Sequence, residues 1–122
     1  MRNNLLRAVI EGITDSVFVK DLEGRIILAN SAVYTLLEKP LNEILGRKND
    51  EIFSADIAEK INTEDNLVLH SGKMQRFERE IPVNGGKTKL VLSTKSPYRD
   101  SNGNSIGLVV ISKDITGLKK SG

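Results

Sequence analysis

The chain has 122 residues, 39% of them apolar and 28% charged, with a formal net charge of +2, which suits one globular domain with a real core. Acids and bases are interleaved and Lys and Arg form no block longer than two, so no nucleic-acid or anionic-lipid footprint is present. The absence of cysteine excludes disulfides, thiolate nucleophiles, Cys-ligated zinc, iron–sulfur clusters and any cysteinyl flavin or chromophore adduct.

Residues 3–12 place Leu5, Leu6, Val9 and Ile10 at helical spacing, and Gly12 suits a stop. Such a short amphipathic helix is marginal alone in water and must dock on something. The N-terminus lacks the apolar stretch of a signal peptide. No uncharged apolar run approaches the roughly 20 residues of a spanning helix, so a soluble cytoplasmic domain without membrane insertion is expected. Two β-branched and aliphatic runs, 16–20 and 25–29, flank Asp21–Gly24 and read as a hairpin, with Gly24 free to take positive φ. Asn30 or Ser31 can cap a helix over 32–38 that carries Val33, Leu36 and Leu37 on one face. Pro40 opens a short helical turn ending at Gly46, and Asn49 or Asp50 opens another around Ile52 and Phe53. Ser54 then begins a longer helix to about Ser71, with Ile57, Ile61 and Val68 inward and Gly72 at its end.

The C-terminal half changes period. Segments 74–83, 87–97 and 105–116 read as three long strands, joined by Asn84–Gly86 and by Asp100–Gly103. Leu108 to Ile111 is a continuous apolar run, the mark of a strand covered on both faces. Helix, two strands, several short helices and three strands together describe an α+β fold on a five-stranded antiparallel sheet.

Three local patterns in this order resemble the PAS family of sensory domains. Asp15–Asn30 is similar to the family's opening hairpin and helix cap. Leu45, Gly46 and Arg47, followed by Asp50–Phe53, resemble its mid-domain helices. Ser96–Asp100 with Gly103 and Gly107, then Asp114, Ile115 and Thr116, resemble its last hairpin and terminal signature. The resemblance covers about residues 5–116. It implies the strand order 2-1-5-4-3, with short helices on one face enclosing a small cavity. It divides the chain into an N-terminal amphipathic helix (1–13), a PAS core (14–116) and the start of a linker (117–122). It also implies a signal-sensing and dimerisation module that regulates an output domain outside this chain, such as a histidine kinase or a cyclic-dinucleotide enzyme.

Each cofactor of the family can be tested against residues. Flavin light sensors need a cysteine in a Gly-x-Asn-Cys-Arg segment; this chain has Glu59–Thr63 there and no cysteine. Redox flavin members commonly rely on a tryptophan, which is missing. Haem members place a histidine in the middle of the long helix, where this chain has an apolar residue near Ile61. The single histidine, His70, falls in the last turn and reads as a surface imidazole. One histidine without cysteines also disfavours zinc. No haem, covalent flavin or zinc is therefore expected. The polar candidates on inner positions, Asn30, Arg76, Thr94 and Ser112, can hydrogen-bond a small ligand in an otherwise apolar pocket or else satisfy backbone groups and one another. Arg76–Glu80 reads as solvated cross-strand pairs, and Asp100–Gly103 as a turn rather than a calcium loop. No base, nucleophile and orienting group converge, so the chain does not read as an enzyme.

With Lys113 facing solvent, Val109 and Ile111 lie opposite Leu108, Val110 and Ser112 on the last strand. These two aliphatics need cover. Leu5, Leu6, Val9 and Ile10 of the N-terminal helix supply it, either folded back on their own sheet or between two copies. A homodimer through these six residues is the preferred expectation. Asp114, Ile115 and Thr116 stand where the strand becomes a linker, positions suited to coupling the sheet to an outgoing helix. The competing function is a ligand-free protein–protein interaction scaffold.

Overall fold

Two turns built on one chemical device shape the sheet. In each, an aspartate carboxylate accepts hydrogen bonds from backbone N–H groups two and four residues on. Asp21 Oδ1 takes those of Glu23 and Arg25, and Asp100 Oδ1 takes those of Asn102 and Asn104. A glycine with φ of 86° completes both turns, Gly24 and Gly103. The structure, a computed structural model, describes residues 2–118.

In chain order the elements are α1 (Arg2–Glu11), β1 (Ser16–Asp21), β2 (Ile26–Ala29), α2 (Ser31–Leu37), α3 (Asn49–Ile52), α4 (Ala55–Ser71), β3 (Gln75–Pro82), β4 (Thr88–Arg99) and β5 (Ser105–Asp114). A single helical turn, Leu41–Glu43, precedes α3. The five strands form one antiparallel sheet in the order β2-β1-β5-β4-β3, as the family resemblance implies. Gly107 is required where β5 crosses β1 and β4. A Cβ there would lie 2.4 Å from the Lys20 carbonyl and 2.2 Å from the Tyr98 ring.

Helices α2 to α4 cover one face. Ile26 and Ala29 of the hairpin, Val33, Leu36 and Leu37 of α2, Ile44, Ile52 of α3, and Ile81 and Val91 of the sheet form the main core. Val68 of α4 closes a second cluster with Leu108 and Val110 of β5. Lys89 caps the C-terminus of α2 by donating to the carbonyls of Thr35 and Leu36. Gly72, with φ of 69°, ends α4. Pro97 lies inside β4, which runs on to Arg99, two residues beyond the predicted end.

Helix α1 lies against the other face of the sheet, anchored through Ile10, which is buried, while Leu5, Leu6 and Val9 are exposed. Its attachment runs through Asn30, fully buried at the start of α2. The Asn30 Nδ2 lies 2.9–3.1 Å from the carbonyls of Ile10, Ile13 and Asp15, and its Oδ1 accepts from Val17 N–H at 3.0 Å. That side chain therefore makes no cap bond to α2. The predicted capping role gives way to a bracket that joins three segments. Asn30→Ala would strand one buried N–H and up to two carbonyls, since that of Ile10 keeps the Ile13 N–H. It is expected to lower the unfolding free energy by roughly 2–4 kcal/mol, read from urea denaturation. A loss below about 0.5 kcal/mol would show that water replaces the bracket.

Candidate functional site

The buried stripe of α4 is Ala58, Ile61, Glu64, Asp65 and Val68. Its spacing is that of a core-facing helix, yet two of the five positions are carboxylates. Opposite them, the inner face of the sheet presents Phe18 and Lys20 from β1, Phe77 and Arg79 from β3, and Ser93 and Lys95 from β4. Lysine is rarely buried without a partner, but the Lys20 and Lys95 side chains are only 3% and 4% exposed.

The pairing is dense. Lys20 Nζ donates to Asp65 Oδ2 at 2.7 Å and to Asn49 Oδ1 at 2.9 Å. Lys95 Nζ reaches Asp65 Oδ1 at 2.7 Å and Glu64 Oε1 at 3.0 Å. Arg79 pairs with the other oxygen of Glu64. Asn49 Nδ2 donates to Asp65 Oδ2 and to Asn62 Oδ1, and Asn62 in turn donates to Asp50. Each ammonium also sits 5.5 Å from an aromatic centroid, Lys20 over Phe18 and Lys95 over Phe77. Two carboxylates on one helix thus hold three strands.

Three cations face two carboxylates, so the cluster carries one surplus positive charge. Burial pushes the Lys20 pKa down, and Lys95 pushes it further. Asp65 opposes both, leaving it at about 8 against an ordinary 10.5. Burial likewise lowers Lys95, with Asp65 opposing. For Asp65, burial raises the carboxyl pKa, but the ammoniums of Lys20 and Lys95 outweigh it and hold it below the usual range. Beside the cluster lies a cavity of about 50 Å³, mostly apolar, whose polar lining is Lys20, Asn49, Glu64, Arg79, Ser93, Lys95 and Ser112. A separate outer pocket of about 290 Å³ shares Lys20 and Asp65 and is walled by polar side chains such as Lys48, Asp50 and Asn62.

The sequence-derived site residues do not come together. Ser112 lies inside, and its hydroxyl shares a 2.7 Å hydrogen bond with Ser93. Thr94 was expected on the inner face; it faces the other way, paired with Arg76 of β3 and Ile111 of β5. Arg76 is exposed there. Asn30 is inside but its polar atoms are taken up by backbone. The reading of Arg76–Glu80 as solvated pairs misplaces Arg79, which turns inward to Glu64. His70 is exposed at the end of α4, its Nδ1 2.8 Å from the Asn66 carbonyl, and Ile61 lines the cavity.

At the end of β5, Asp114 accepts from the Thr116 backbone and hydroxyl, while Thr116 Oγ1 accepts from Leu90 N–H at 2.9 Å. Ile115 is buried and donates to the Leu90 carbonyl. The triplet therefore ties the end of β5 to the start of β4. The expected linker extends through 119–122, which lie outside the described residues. Of the six expected interface residues, Leu5, Leu6, Val9 and Ile111 are exposed, Val109 is half-buried, and Ile10 is buried within its own subunit. Among the described residues no helix is long and apolar enough to cross a membrane, and no group of His, Asp or Glu is arranged to hold a metal ion.

The sequence model of the PAS fold matches residues 10–120, and the chain belongs to that family. A segment of the methanogenesis regulatory histidine kinase FilI of Methanothrix harundinacea (strain 6Ac) is 30% identical over 122 residues, all of this chain and 14% of the kinase. The aerobic respiration control sensor protein ArcB of Escherichia coli (strain K12) is 24% identical over 119 residues, 98% of this chain and 15% of ArcB. The chain thus spans about a seventh of the length of these curated relatives. Among solved structures, the PAS domain of Bordetella pertussis BvgS superposes with a TM-score of 0.80 over 94% of this chain and 87% of its own, at 24% identity. That likeness is one of fold.

The buried Lys20 sets a pH dependence whose sign can be worked out. Between about 8 and 10.5 the unfolded chain holds a proton on Lys20 that the folded chain has lost. Folding stability therefore rises with pH through that window, and the gain is absent below about 8. Wild type is expected to gain ~2 kcal/mol relative to Lys20→Met between pH 8 and 10, measured by chemical denaturation. Parallel pH profiles for the two proteins would refute a buried, charged Lys20.

Proposed function

We propose that this PAS domain is a cytoplasmic signal-input and dimerisation module that regulates an output domain in a longer protein, its cavity acting as the sensing element. The relatives named as histidine kinases supply the kind of output. The observation that carries the reading is the position of β5. This central strand offers Val110 and Ser112 to the cavity, Val109 and Ile111 to the opposite face, and Asp114 to Thr116 at its exit. A change in the cavity and a change at the exit therefore act on one strand. In the same reading the domain itself performs no catalysis.

The dimer would form on the back of the sheet and along α1. Leu5, Leu6 and Val9 leave α1 with an exposed apolar side, 68%, 46% and 55% accessible. A groove of about 440 Å³ lies between Leu6 and Ile10 of α1 and Val17, Val19, Leu28 and Val109 of the sheet. Two copies paired there cover surface that water otherwise wets.

One observation favours the ligand-free scaffold as a second reading. The cavity holds only about 50 Å³, and Lys20, Lys95 and both carboxylates already have protein partners. Under that reading the domain passes on only what its partners impose at α1 and the exit.

Sedimentation at micromolar concentration tests the dimer. Wild type is expected to sediment at twice the 13.5 kDa chain mass, and Val9→Asp, at a site where a carboxylate stays hydrated in the monomer, to weaken pairing tenfold or more. A wild-type monomer, or a dimer indifferent to Val9→Asp and Leu5→Asp, would remove α1 as the interface.

A further inference from the structure

Resting on the reading of the cavity as the sensing element, we propose that it takes a short-chain monocarboxylate such as acetate or propionate, with the carboxylate held at Arg79 and Lys95. Charge, hydrogen bonding, shape and proton linkage each lead to this ligand class.

The cluster holds Lys20, Lys95 and Arg79 against Glu64 and Asp65, and a single negative charge would neutralise it. Lys20 and Lys95 are buried and Arg79 is partly exposed, so the surplus is only partly screened by water, and an uncompensated charge so placed is costly. Arg79 also has a donor to spare. Its terminal nitrogen serves Glu64, while its Nε–H is shielded from solvent and has no acceptor among the described residues. Guanidinium suits planar carboxylate oxygens. Arg79 and Lys95 both line the cavity, so a carboxylate there meets Nε–H of one and the ammonium of the other.

The rest of the cavity selects the body of the ligand. Its other walls include Leu36, Phe53, Ile61 and Val110, which favour an aliphatic tail, with Lys20 and Ser112 also on the lining; the single surplus charge balances one carboxylate and leaves a second anionic group uncompensated. A volume of about 50 Å³ corresponds to a few water-sized units, which limits the tail to one or two carbons.

Proton binding supplies the link to pH. Lys20 faces Asp65 of α4, Lys95 of β4 and neutral Asn49 of α3, with Glu64 and Arg79 across the cluster and Asp21, Glu23, Lys48 and Asp50 around the outer pocket. Loss of its proton also leaves two cations against two carboxylates. Anion binding and Lys20 deprotonation thus remove the same surplus charge, and each opposes the other. A bound carboxylate competes with Glu64 for Arg79 and Lys95, so occupancy loosens the grip of α4 on β3 and β4 while Asp65 keeps β1 and β4.

The test is an NMR titration of the full 122-residue chain, following the Arg79 Nε–H signal and the amides near Glu64 and Lys95. Sodium acetate and propionate are compared with acetamide and with sodium chloride at matched ionic strength. The expected result is a saturable, millimolar response to the carboxylates alone, weakened at least fivefold from pH 7 to 9.5 and abolished in Arg79→Gln. Glu64→Gln, which removes the competing carboxylate, is expected to tighten binding, and it carries the test if Arg79→Gln does not fold. A response to chloride equal to that of acetate, no response to any carboxylate, or unchanged affinity in Glu64→Gln would overturn the proposal. An equal response to acetamide would overturn the anion while leaving the cavity as a sensing element. A monomeric wild type would strike the dimerisation reading and leave the carboxylate site standing.

Discussion

Glu64 and Asp65, neighbours on α4, bind side chains from β1, β3 and β4, and the position of the longest helix over the sheet depends on that arrangement. An apolar helix stripe would slide over an apolar sheet at small energetic cost, because packing tolerates related arrangements of similar volume. Paired charges do not. Moving α4 by one turn, so that a carboxylate took the place of Val68 against Leu108 and Val110, would leave ammoniums buried alone, a loss of several kcal/mol per ion. The cluster thus specifies where α4 sits more strongly than it adds to net stability, since an apolar replacement of similar shape can be equally stable.

The same constraint explains the division of the helical face into two kinds of core. Around Ile26, Val33, Leu36, Ile44 and Ile81 the packing is aliphatic and asks only for volume. Between this cluster and the smaller one of Val68, Leu108 and Val110 lie the charges and the cavity. Asn49 carries the network to α3, and through Asn62 to Asp50 at the surface. A perturbation at the cavity therefore meets a polar network with defined geometry, whereas one in the aliphatic core meets side chains that can repack.

Most of the architecture was legible in the chain because its signals are local. Asp and Gly at fixed offsets mark the turns at 21–24 and 100–103, and Gly72 marks the end of α4. Alternation on β5 separated Leu108, Val110 and Ser112 from Val109 and Ile111. What could not be read locally was the parity of β4. Between Thr94 and Lys95, single-residue preference sends the threonine inward, since an isolated lysine is seldom buried. Lys95 is inward because Glu64 and Asp65 wait there, some thirty residues earlier in sequence, and that fact needs the helix placed on the sheet. The α4 spacing did hold a clue: 61, 64, 65 and 68 form one stripe, and two of its members are acidic. Asn30 stands at the position its residue type marks but with other partners: an amide at a helix start usually caps that helix, and here it brackets α1 to β1.

Burying Lys20, Lys95, Glu64 and Asp65 beside a partly exposed Arg79 leaves the domain with an unequal charge that one added anion or one lost proton would relieve. A neutral cluster would have no such susceptibility, and a cluster at the surface would be screened by water and salt. The surplus charge matters because it is largely shielded and adjacent to space. Its relief acts on Glu64 and Asp65, hence on α4, and through the strands these residues hold on the sheet whose central member ends at Asp114. Electrostatic imbalance next to a cavity is thus a physical means by which a small event inside the domain could be felt along β5, with no need for the aliphatic core to move.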